Sequence, residues 1–374
     1  MLDGCSRLGL GEIPPPSAGL FRQGISHPDL WLWDAWTVVS GDTLILFTLA
    51  LARRNSKGDT IGPGDRNNYP FHVRQFRSRD GGASWRDHGA YLSPTASAGG
   101  VLAHNVWSGS AIISEGRLLF GFTGVRRPAP GRSFLQTICL LPASENGEAP
   151  MASGSIVISD PESDYEAIIK AGYYLGPRDR LGDDSGEEGG PILAWRDPFL
   201  LERGDGSFDA FWAAKTSSTA AAIAHARLTR QGDSFHCQLQ APISLPDGDD
   251  LTQAEVPKVY RDPGGAGYLL LVSTCNRLRE DQPDEEVSKE MRLYRAARPE
   301  GPWRPYRGDD SIIPGIEHLF GGAFSKIERS SNTAILIAPY TEMSDGEKQL
   351  TFAPPTQIDL QAGLGSIKKA AIWV

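Results

Sequence analysis

The stretch SRDGGASW, residues 78–85, is a well-formed local motif that bears directly on the fold of this chain. It has the form S-x-D-x-G-x-S-W, in which an Asx-type turn closes a hairpin and the tryptophan packs beneath it. This motif, the Asp box, usually forms the outer hairpin of a β-propeller blade. Because its role is structural, it predicts an architecture and not an activity.

The rest of the chain carries the same β-rich pattern. Gly and Pro are frequent, at 42 and 27 of 374 residues, and turn signals such as SGD, SEGR and RGDGS separate short apolar runs. One weak helix is predicted around residues 163–171. Buried strands are predicted at 43–50, 110–114, 117–122, 134–140, 268–273 and 333–338.

Composition excludes several classes of protein. With 37 Lys and Arg against 46 Asp and Glu, the net charge is −9, which argues against a nucleic-acid binder. No apolar run approaches the roughly 20 residues that span a bilayer, so no membrane partner is predicted. The four cysteines are scattered and the first residues show no secretory signal, so a reducing, cytoplasmic location is the default expectation, with non-classical secretion as the alternative.

Four segments place polar residues beside aromatic ones in a strand context. Their key residues, at 34, 107, 197 and 255, lie 73, 90 and 58 residues apart, and a fifth segment at 317–322 follows. Such units suit four-stranded blades with long loops, since a minimal blade needs only about 40–45 residues. No stretch resembles an interdomain linker. The prediction is an all-β, five-bladed propeller with a central, funnel-shaped active site at 28–374, after an N-terminal extension at 1–27.

Carboxylates on these segments can converge although they are distant in sequence, because the innermost strand of every blade faces one central channel. A carboxylate between tryptophans is costly to bury unless it is hydrogen-bonded or has a role. Taken singly, Asp34 reads as a turn residue, Asp197 as half of a structural ion pair, and Glu255 as a solvent-facing strand residue. Their ordered recurrence, one per unit, favours a shared site.

The four segments resemble glycoside hydrolase family 68, the levansucrase and bacterial β-fructofuranosidase group. That family carries W-D-x-W, W-S-G-S-A, R-D-P and an E-x-E-R-P-like segment on a five-bladed propeller. The matching residues here are WDAW at 33–36, WSGSA at 107–111, RDP at 196–198 and QAEVP at 253–257, and the likeness extends from about residue 28 to 340.

The resemblance implies a retaining cleavage of sucrose or a similar β-fructoside. Asp34 would be the nucleophile, Glu255 the general acid and base, and Asp197 the stabiliser of the transition state. Negative charge on the two aspartates would favour a protonated Glu255, and Arg196 would keep Asp197 ionised. The residues implied to shape the sugar subsites are Trp33, Trp107, Ser108, Arg196, Gln253 and Arg277.

Some positions depart from the family pattern. Gln253 and Val256 stand where the family usually has Glu and Arg, and a Glu that commonly follows the R-D-P motif has no counterpart in 211–214. No cofactor is needed, because carboxylates supply both nucleophile and acid. The acidic run GDDSGEEGG at 182–190 lacks calcium-loop spacing, so no metal is predicted. Two alternatives stay open: another propeller glycosidase, arabinosidase-like, and a carbohydrate-binding propeller without catalysis.

Overall fold

The computed structural model describes residues 13–95, 100–126, 135–144, 148, 154–181, 191–263, 265, 267–279, 282–341, 349–360 and 368–369 of the chain. These residues form five antiparallel sheets of four or five strands, in which most neighbouring strands are consecutive in the chain, and one separate two-stranded pair. The sheets are the blades of a propeller, so the predicted all-β, five-bladed architecture is confirmed. Among the described residues, no helix combines the length and apolar character that crossing a bilayer requires.

The first three blades follow one another along the chain. Blade I comprises β1 (Leu20–Arg22), β2 (Leu30–Ser40), β3 (Thr43–Ala52), β4 (His72–Ser78) and β5 (Ser84–Leu92). Blade II comprises β6 (Asn105–Ser114), β7 (Arg117–Arg126), β8 (Leu135–Ser144) and β9 (Ile156–Ser159). Blade III comprises β10 (Arg196–Glu202), β11 (Phe208–Lys215), β12 (Ala221–Gln231) and β13 (Ser234–Leu239).

The last two blades complete the ring. Blade IV comprises β14 (Gln253–Arg261), β15 (Tyr268–Cys275), β16 (Lys289–Ala296) and β17 (Arg304–Pro305). Blade V begins with β18 (Ala323–Glu328) and β19 (Thr333–Ile337), continues through a separate pair, β20 (Pro339–Tyr340) and β21 (Thr351–Phe352), and ends with β22 (Thr356–Asp359) and β23 (Lys368–Lys369). The helices are α1 (Tyr165–Lys170), inside the predicted range, and 3₁₀ turns at Pro63–Asn68, Arg178–Arg180 and Asp284–Glu286.

The apolar runs predicted as strands lie in strands of the blades. Their continuous apolar character follows from the packing of each blade against a neighbour on both faces. In β15, Leu269 and Leu271 pack into the apolar cluster between blades IV and V. The alternate residues Leu270 and Val272 pack into the cluster between blades III and IV. A strand covered on both faces has no polar side, and this explains continuous apolar runs such as TLILFTLA at 43–50. Each of the five junctions between blades holds one such cluster.

The Asp box closes the outer hairpin of blade I, as predicted. Asp80 Oδ1 accepts hydrogen bonds from Ser78 Oγ at 2.7 Å and from the Ser84 N–H at 2.8 Å. Trp85 is buried between blades V and I. β1, from the segment expected to be an extension, adds a fifth strand outside this hairpin by pairing with β5.

Blades V and I are joined by backbone hydrogen bonds. The Ala35 N–H donates to the Gly321 carbonyl at 2.7 Å, and the Leu32 N–H donates to the Leu350 carbonyl at 2.8 Å. Ile25 pairs with Phe352 on β21. These bonds close the ring, so the innermost strands β2, β6, β10, β14 and β18 surround one channel.

Candidate active site

The innermost strands of blades I to IV share a β-bulge at the same level of the channel. The pairing shifts by one residue between Trp33 and Ala35 in β2 and between Trp107 and Gly109 in β6. It shifts again across RDPF at 196–199 in β10 and across EVPK at 255–258 in β14. A bulge re-aims the side chains beside it, and such features concentrate near active sites. We call these four features the inner-strand bulges.

Backbone conformation at the bulges is unusual for residues with side chains. Asp34, Asp197 and Val256 have φ values of +54°, +65° and +44°. Positive φ is uncommon outside glycine and is a clear outlier for a β-branched valine. The surrounding blades therefore impose this backbone conformation. It places the side chains of Asp34 and Asp197 at the channel, together with that of Glu255, which precedes Val256.

Asp34 lies in β2 between Trp33 and Ala35. Ser108, the bulged residue of β6, donates a hydrogen bond from Oγ to Asp34 Oδ2. Burial raises the pKa of Asp34 to about 6; the Ser108 hydrogen bond opposes this rise, and the charge of Glu255 adds to it. Asp34 is therefore ionised only above mildly acidic pH.

Gly321 forms the wall beside Asp34. A Cβ at Gly321 would lie 2.3 Å from Asp34 Oδ1, and the residue has φ +67°. Its N–H donates to Ser273 Oγ at 2.9 Å. Only glycine fits this position without displacing the Asp34 carboxylate.

Asp197 is the bulged residue of β10 and is almost fully buried. Its N–H donates to Thr123 Oγ1 at 2.7 Å, and the Val256 N–H donates to its Oδ2 at 3.1 Å. Burial raises the pKa of Asp197 to about 7; Arg196 opposes this rise, and the charges of Asp34 and Glu255 add to it. Asp34 and Asp197 are thus close enough to couple electrostatically, and the charge of Glu255 acts on both.

Arg196 contacts two of the three carboxyl groups. Its Nη2 donates to Glu255 Oε1 at 2.9 Å, whereas its Nε lies 3.7 Å from Asp197 Oδ2. The arginine therefore pairs most closely with Glu255, and its charge also lowers the pKa of Asp197, although burial raises that pKa to about 7. Gln253 fixes the arginine from behind, accepting from Nη2 at 2.8 Å while its own Nε2 donates to the Ile192 carbonyl at 3.1 Å.

The predicted sugar-contacting residues take different places. The Trp33 ring packs edge-on against Phe71 with centroids 4.8 Å apart, and the guanidinium carbon of Arg196 lies 5.9 Å from the Trp107 ring centroid. Gln253 is 1% exposed, so its amide serves the protein interior. Arg277 follows β15, where its Nη1 donates to the Gln282 carbonyl at 2.9 Å.

Sequence reasoning missed three residues of this site. Thr123 and Gly321 support Asp197 and Asp34, and Lys258 lies buried three residues after Glu255. The segment 317–322 is distinctive in the sequence, but nothing in it indicates that Gly321 contacts Asp34. The sequence signal for Lys258 is a lysine among apolar residues of an inner strand, VPKV at 256–259.

The described residues include no group of three or more His, Cys, Asp or Glu side chains arranged to hold a metal ion. The acidic segment 182–190 lies outside the described residues. Fold and site together define a five-bladed β-propeller with three coupled carboxyl groups on the bulges of its channel.

The solved structures that this fold matches include levansucrases. The Bacillus subtilis levansucrase has a TM-score of 0.64 at 15% identity, with 95% of this chain and 91% of that chain covered. A B. megaterium levansucrase variant has a TM-score of 0.63 at 13% identity, covering 98% and 93%. A levansucrase variant complexed with sucrose has a TM-score of 0.63 at 14% identity, covering 92% and 88%. No family model and no curated protein sequence matches the chain.

Proposed function

We propose that this protein is a retaining β-fructofuranosidase or fructosyltransferase that cleaves sucrose or a related β-fructoside. Asp34 is the nucleophile, Glu255 the general acid and base, and Asp197 the transition-state stabiliser. The observation that carries this proposal is the placement of all three carboxyl groups at one level of the channel, on equivalent bulges of three blades. The levansucrase complexed with sucrose, similar in fold, supports the choice of substrate.

The reaction proceeds by double displacement. The ionised Asp34 attacks the anomeric C2 of the fructosyl unit while Glu255 gives its proton to the departing glycosidic oxygen, and the leaving sugar departs as an alcohol. Glu255 then takes a proton from water or from a sugar hydroxyl, which attacks C2 and releases Asp34. Asp197 stabilises the positive charge that develops on the fructosyl ring in both transition states.

The proton inventory of the site suits this sequence of events. The acid role needs one proton among three carboxyl groups, whereas Arg196 pairs with the carboxylate form of Glu255. The pKa values of Asp34 and Asp197, raised to about 6 and about 7 mainly by burial, keep a proton in the cluster near neutral pH. Transfer of this proton to Glu255 as substrate binds gives the ionised nucleophile and protonated acid that the first step requires.

Ser108 opposes the effect of burial on Asp34. Its hydroxyl donates to Asp34 Oδ2 and favours the ionised nucleophile. Trp33 and Trp107, which precede Asp34 and Ser108, supply apolar walls for the C–H faces of a sugar. Aromatic surfaces combined with a few charged groups are the usual anatomy of such a pocket.

Incubation with sucrose and assay of free glucose and fructose tests the proposal. We expect glucose release by the wild-type protein and a loss of at least about 1,000-fold in Asp34→Asn. Glucose in excess of fructose indicates transfer to a sugar acceptor, and equal amounts indicate hydrolysis. Equal rates in the two proteins would refute the assignment, and a panel of chromogenic glycosides then tests the arabinosidase-like alternative.

One observation favours a second candidate, a carbohydrate-binding propeller without turnover. Glu255 is already paired with Arg196, and Gln253 and Val256 replace two residues that accompany the acid in the resembling family. This candidate requires sucrose or a fructoside to bind with no product formed. Calorimetry alongside the glucose assay separates the two candidates.

A further inference from the structure

Lys258 is a buried lysine directly behind the candidate active site. It lies in β14, where it pairs with Leu271 and ends the bulge that begins at Glu255. The residue is 1% exposed, although lysine is almost never fully buried without a partner. Burying an ammonium group is costly, so this position calls for a compensating role.

The contacts of Lys258 link it to two carboxyl groups of the site. Its Nζ donates to the Val256 carbonyl at 3.0 Å, and the Val256 N–H donates to Asp197 Oδ2 at 3.1 Å. Val256 is the bulged residue with positive φ, and Glu255 precedes it directly. Lys258 therefore holds the peptide segment that positions both Asp197 and Glu255.

The charges that face Lys258 on the site side are negative. Burial lowers the pKa of Lys258 to about 8, and the charges of Asp34 and Asp197 oppose this decrease. In return, Lys258 opposes the rise in the pKa of Asp34, as does Arg66 from the 3₁₀ turn at 63–68.

On the opposite side, Lys258 lines a chamber of about 460 Å³ at the other end of the channel. The charged residues of this chamber are already engaged: Glu202 accepts from Ser114 Oγ, Arg203 Nη1 is 2.8 Å from Asp209 Oδ2, and Arg261 Nη2 donates to the Glu202 carbonyl at 3.1 Å. The anionic groups that balance Lys258 are thus those of the active site.

We propose that Lys258 is a positioning residue that holds the Glu255–Val256 bulge and, together with Arg196, balances two of the three carboxylates. This inference rests on the proposed function. Arg196 bonds to Glu255, and Lys258 bonds to the Val256 carbonyl beside it. Double displacement starts with one carboxyl group protonated and two ionised, and these cations favour the two ionised groups.

The test measures the carboxyl groups directly and needs no substrate. The protein is labelled with ¹³C at the aspartate carboxyl carbon, and the signals of Asp34 and Asp197 are assigned by their loss in Asp34→Asn and Asp197→Asn. We expect both titration midpoints to rise by about one pH unit in Lys258→Met, because a buried positive charge is lost. Unchanged midpoints would overturn the inference.

Two further variants separate charge from packing. Lys258→Gln retains a donor for the Val256 carbonyl without the charge, so it is expected to show the same shift and to report on the charge if the methionine variant fails to fold. Lys215→Met removes another buried lysine, which interacts with Arg196 and Glu255, and is expected to leave the Asp34 midpoint unchanged. An equal Asp34 shift in Lys215→Met would overturn the specific role of Lys258.

The activity profile then distinguishes the two proposals. If wild type cleaves sucrose, the acid limb of kcat/KM is expected to move upward in Lys258→Gln by the same amount as the carbon midpoints. Shifted midpoints in a protein that cleaves no fructoside support the charge role of Lys258 and refute the proposed function. If wild type cleaves sucrose but the midpoints do not change in the Lys258 variants, the proposed function is supported and the charge role of Lys258 is refuted.

Discussion

Buried acids at two places in this propeller have pKa values that are shifted in opposite directions. In blade I, Asp87 accepts two hydrogen bonds from Arg74 at 2.8 and 2.7 Å and one from the Ser17 N–H at 2.7 Å, and it pairs with His27 at 3.2 Å. Burial acts to raise the pKa of Asp87, but these bonds and one from the Gly89 N–H outweigh it and hold the pKa well below its usual range.

Asp34 and Asp197 are surrounded by fewer donors. Asp34 receives a hydroxyl hydrogen bond from Ser108, and Asp197 receives one N–H hydrogen bond from Val256. Burial dominates at both, and their pKa values are raised to about 6 and about 7. The contrast separates a structural acid, whose charge is matched, from acids that are kept close to their titration points. Raised pKa values in a channel are the physical signature expected of a reacting site.

The largest effect is expected at Asp34, the proposed nucleophile. Asp34→Asn should lower glucose release from sucrose by at least about 1,000-fold, because an amide cannot form the fructosyl ester. The same change should leave the protein as stable or more stable. A raised folded pKa means that the ionised side chain destabilises the fold above about pH 6, and this cost disappears as pH falls toward the unfolded value.

Urea unfolding at pH 7.5 measures this gain. We expect the free energy of unfolding to be about one to three kcal/mol larger in Asp34→Asn than in wild type. The advantage should shrink when the comparison is repeated near pH 4. A variant that is both inactive and strongly destabilised would assign Asp34 to the structural class with Asp87.

The next largest effect is expected at Asp87. Asp87→Asn leaves the buried Arg74 and His27 without their anion, so we expect a loss of about 3–5 kcal/mol in unfolding free energy. Because the folded pKa is depressed, the wild-type contribution is present at neutral pH and declines as pH falls below about 4. Activity per folded molecule should stay within about twofold, and a selective loss of turnover would end the distinction between the two clusters.

Much of the acid site could be predicted from sequence. The order of WDAW, WSGSA, RDP and QAEVP along the chain, and their spacing, placed Asp34, Asp197 and Glu255 in separate blades that meet at one channel. The Asp box gave an independent indication of the same architecture. Both signals come from residues that are adjacent in the chain, and such patterns can be recognised in a single sequence.

The contacts that set the charge of each acid could not be predicted in the same way. Arg196 precedes Asp197 in sequence, yet its long side chain reaches Glu255 in the next blade. The bulges depend on strand register, and a valine at positive φ contradicts local preference. The Asp87 cluster joins residues 27, 74 and 87, which share no motif. Register and long side chains decide these pairings only in the folded protein.

A third prediction concerns the wall of the site. Gly321→Ala would place a methyl group 2.3 Å from Asp34 Oδ1, so the carboxylate must move. We expect kcat to fall by about 10- to 100-fold, since small displacements of reacting groups are costly. Gly41→Ala is the matched control, because Gly41 also has positive φ, at +58°, but a Cβ there meets nothing within 4 Å.

Both alanines carry the backbone strain of positive φ, so both variants should lose about 1 kcal/mol of stability. Only the variant at Gly321 should lose turnover. Equal kinetics in the two would show that the close approach of Gly321 to Asp34 does not matter for the reaction.

The smallest effect is expected at Asp80, a third kind of acid in this chain. Like Asp87 it is well supplied with donors, since Ser78 and Ser84 hold its carboxylate, but it lies exposed at a hairpin. Asp80→Ala removes these bonds without leaving a buried charge, so we expect a loss of about 1 kcal/mol in chemical denaturation and unchanged activity. A loss as large as that of Asp87→Asn would mean that donor number alone sets the cost, whereas a small loss identifies burial as the property that makes an unmatched charge expensive in this propeller.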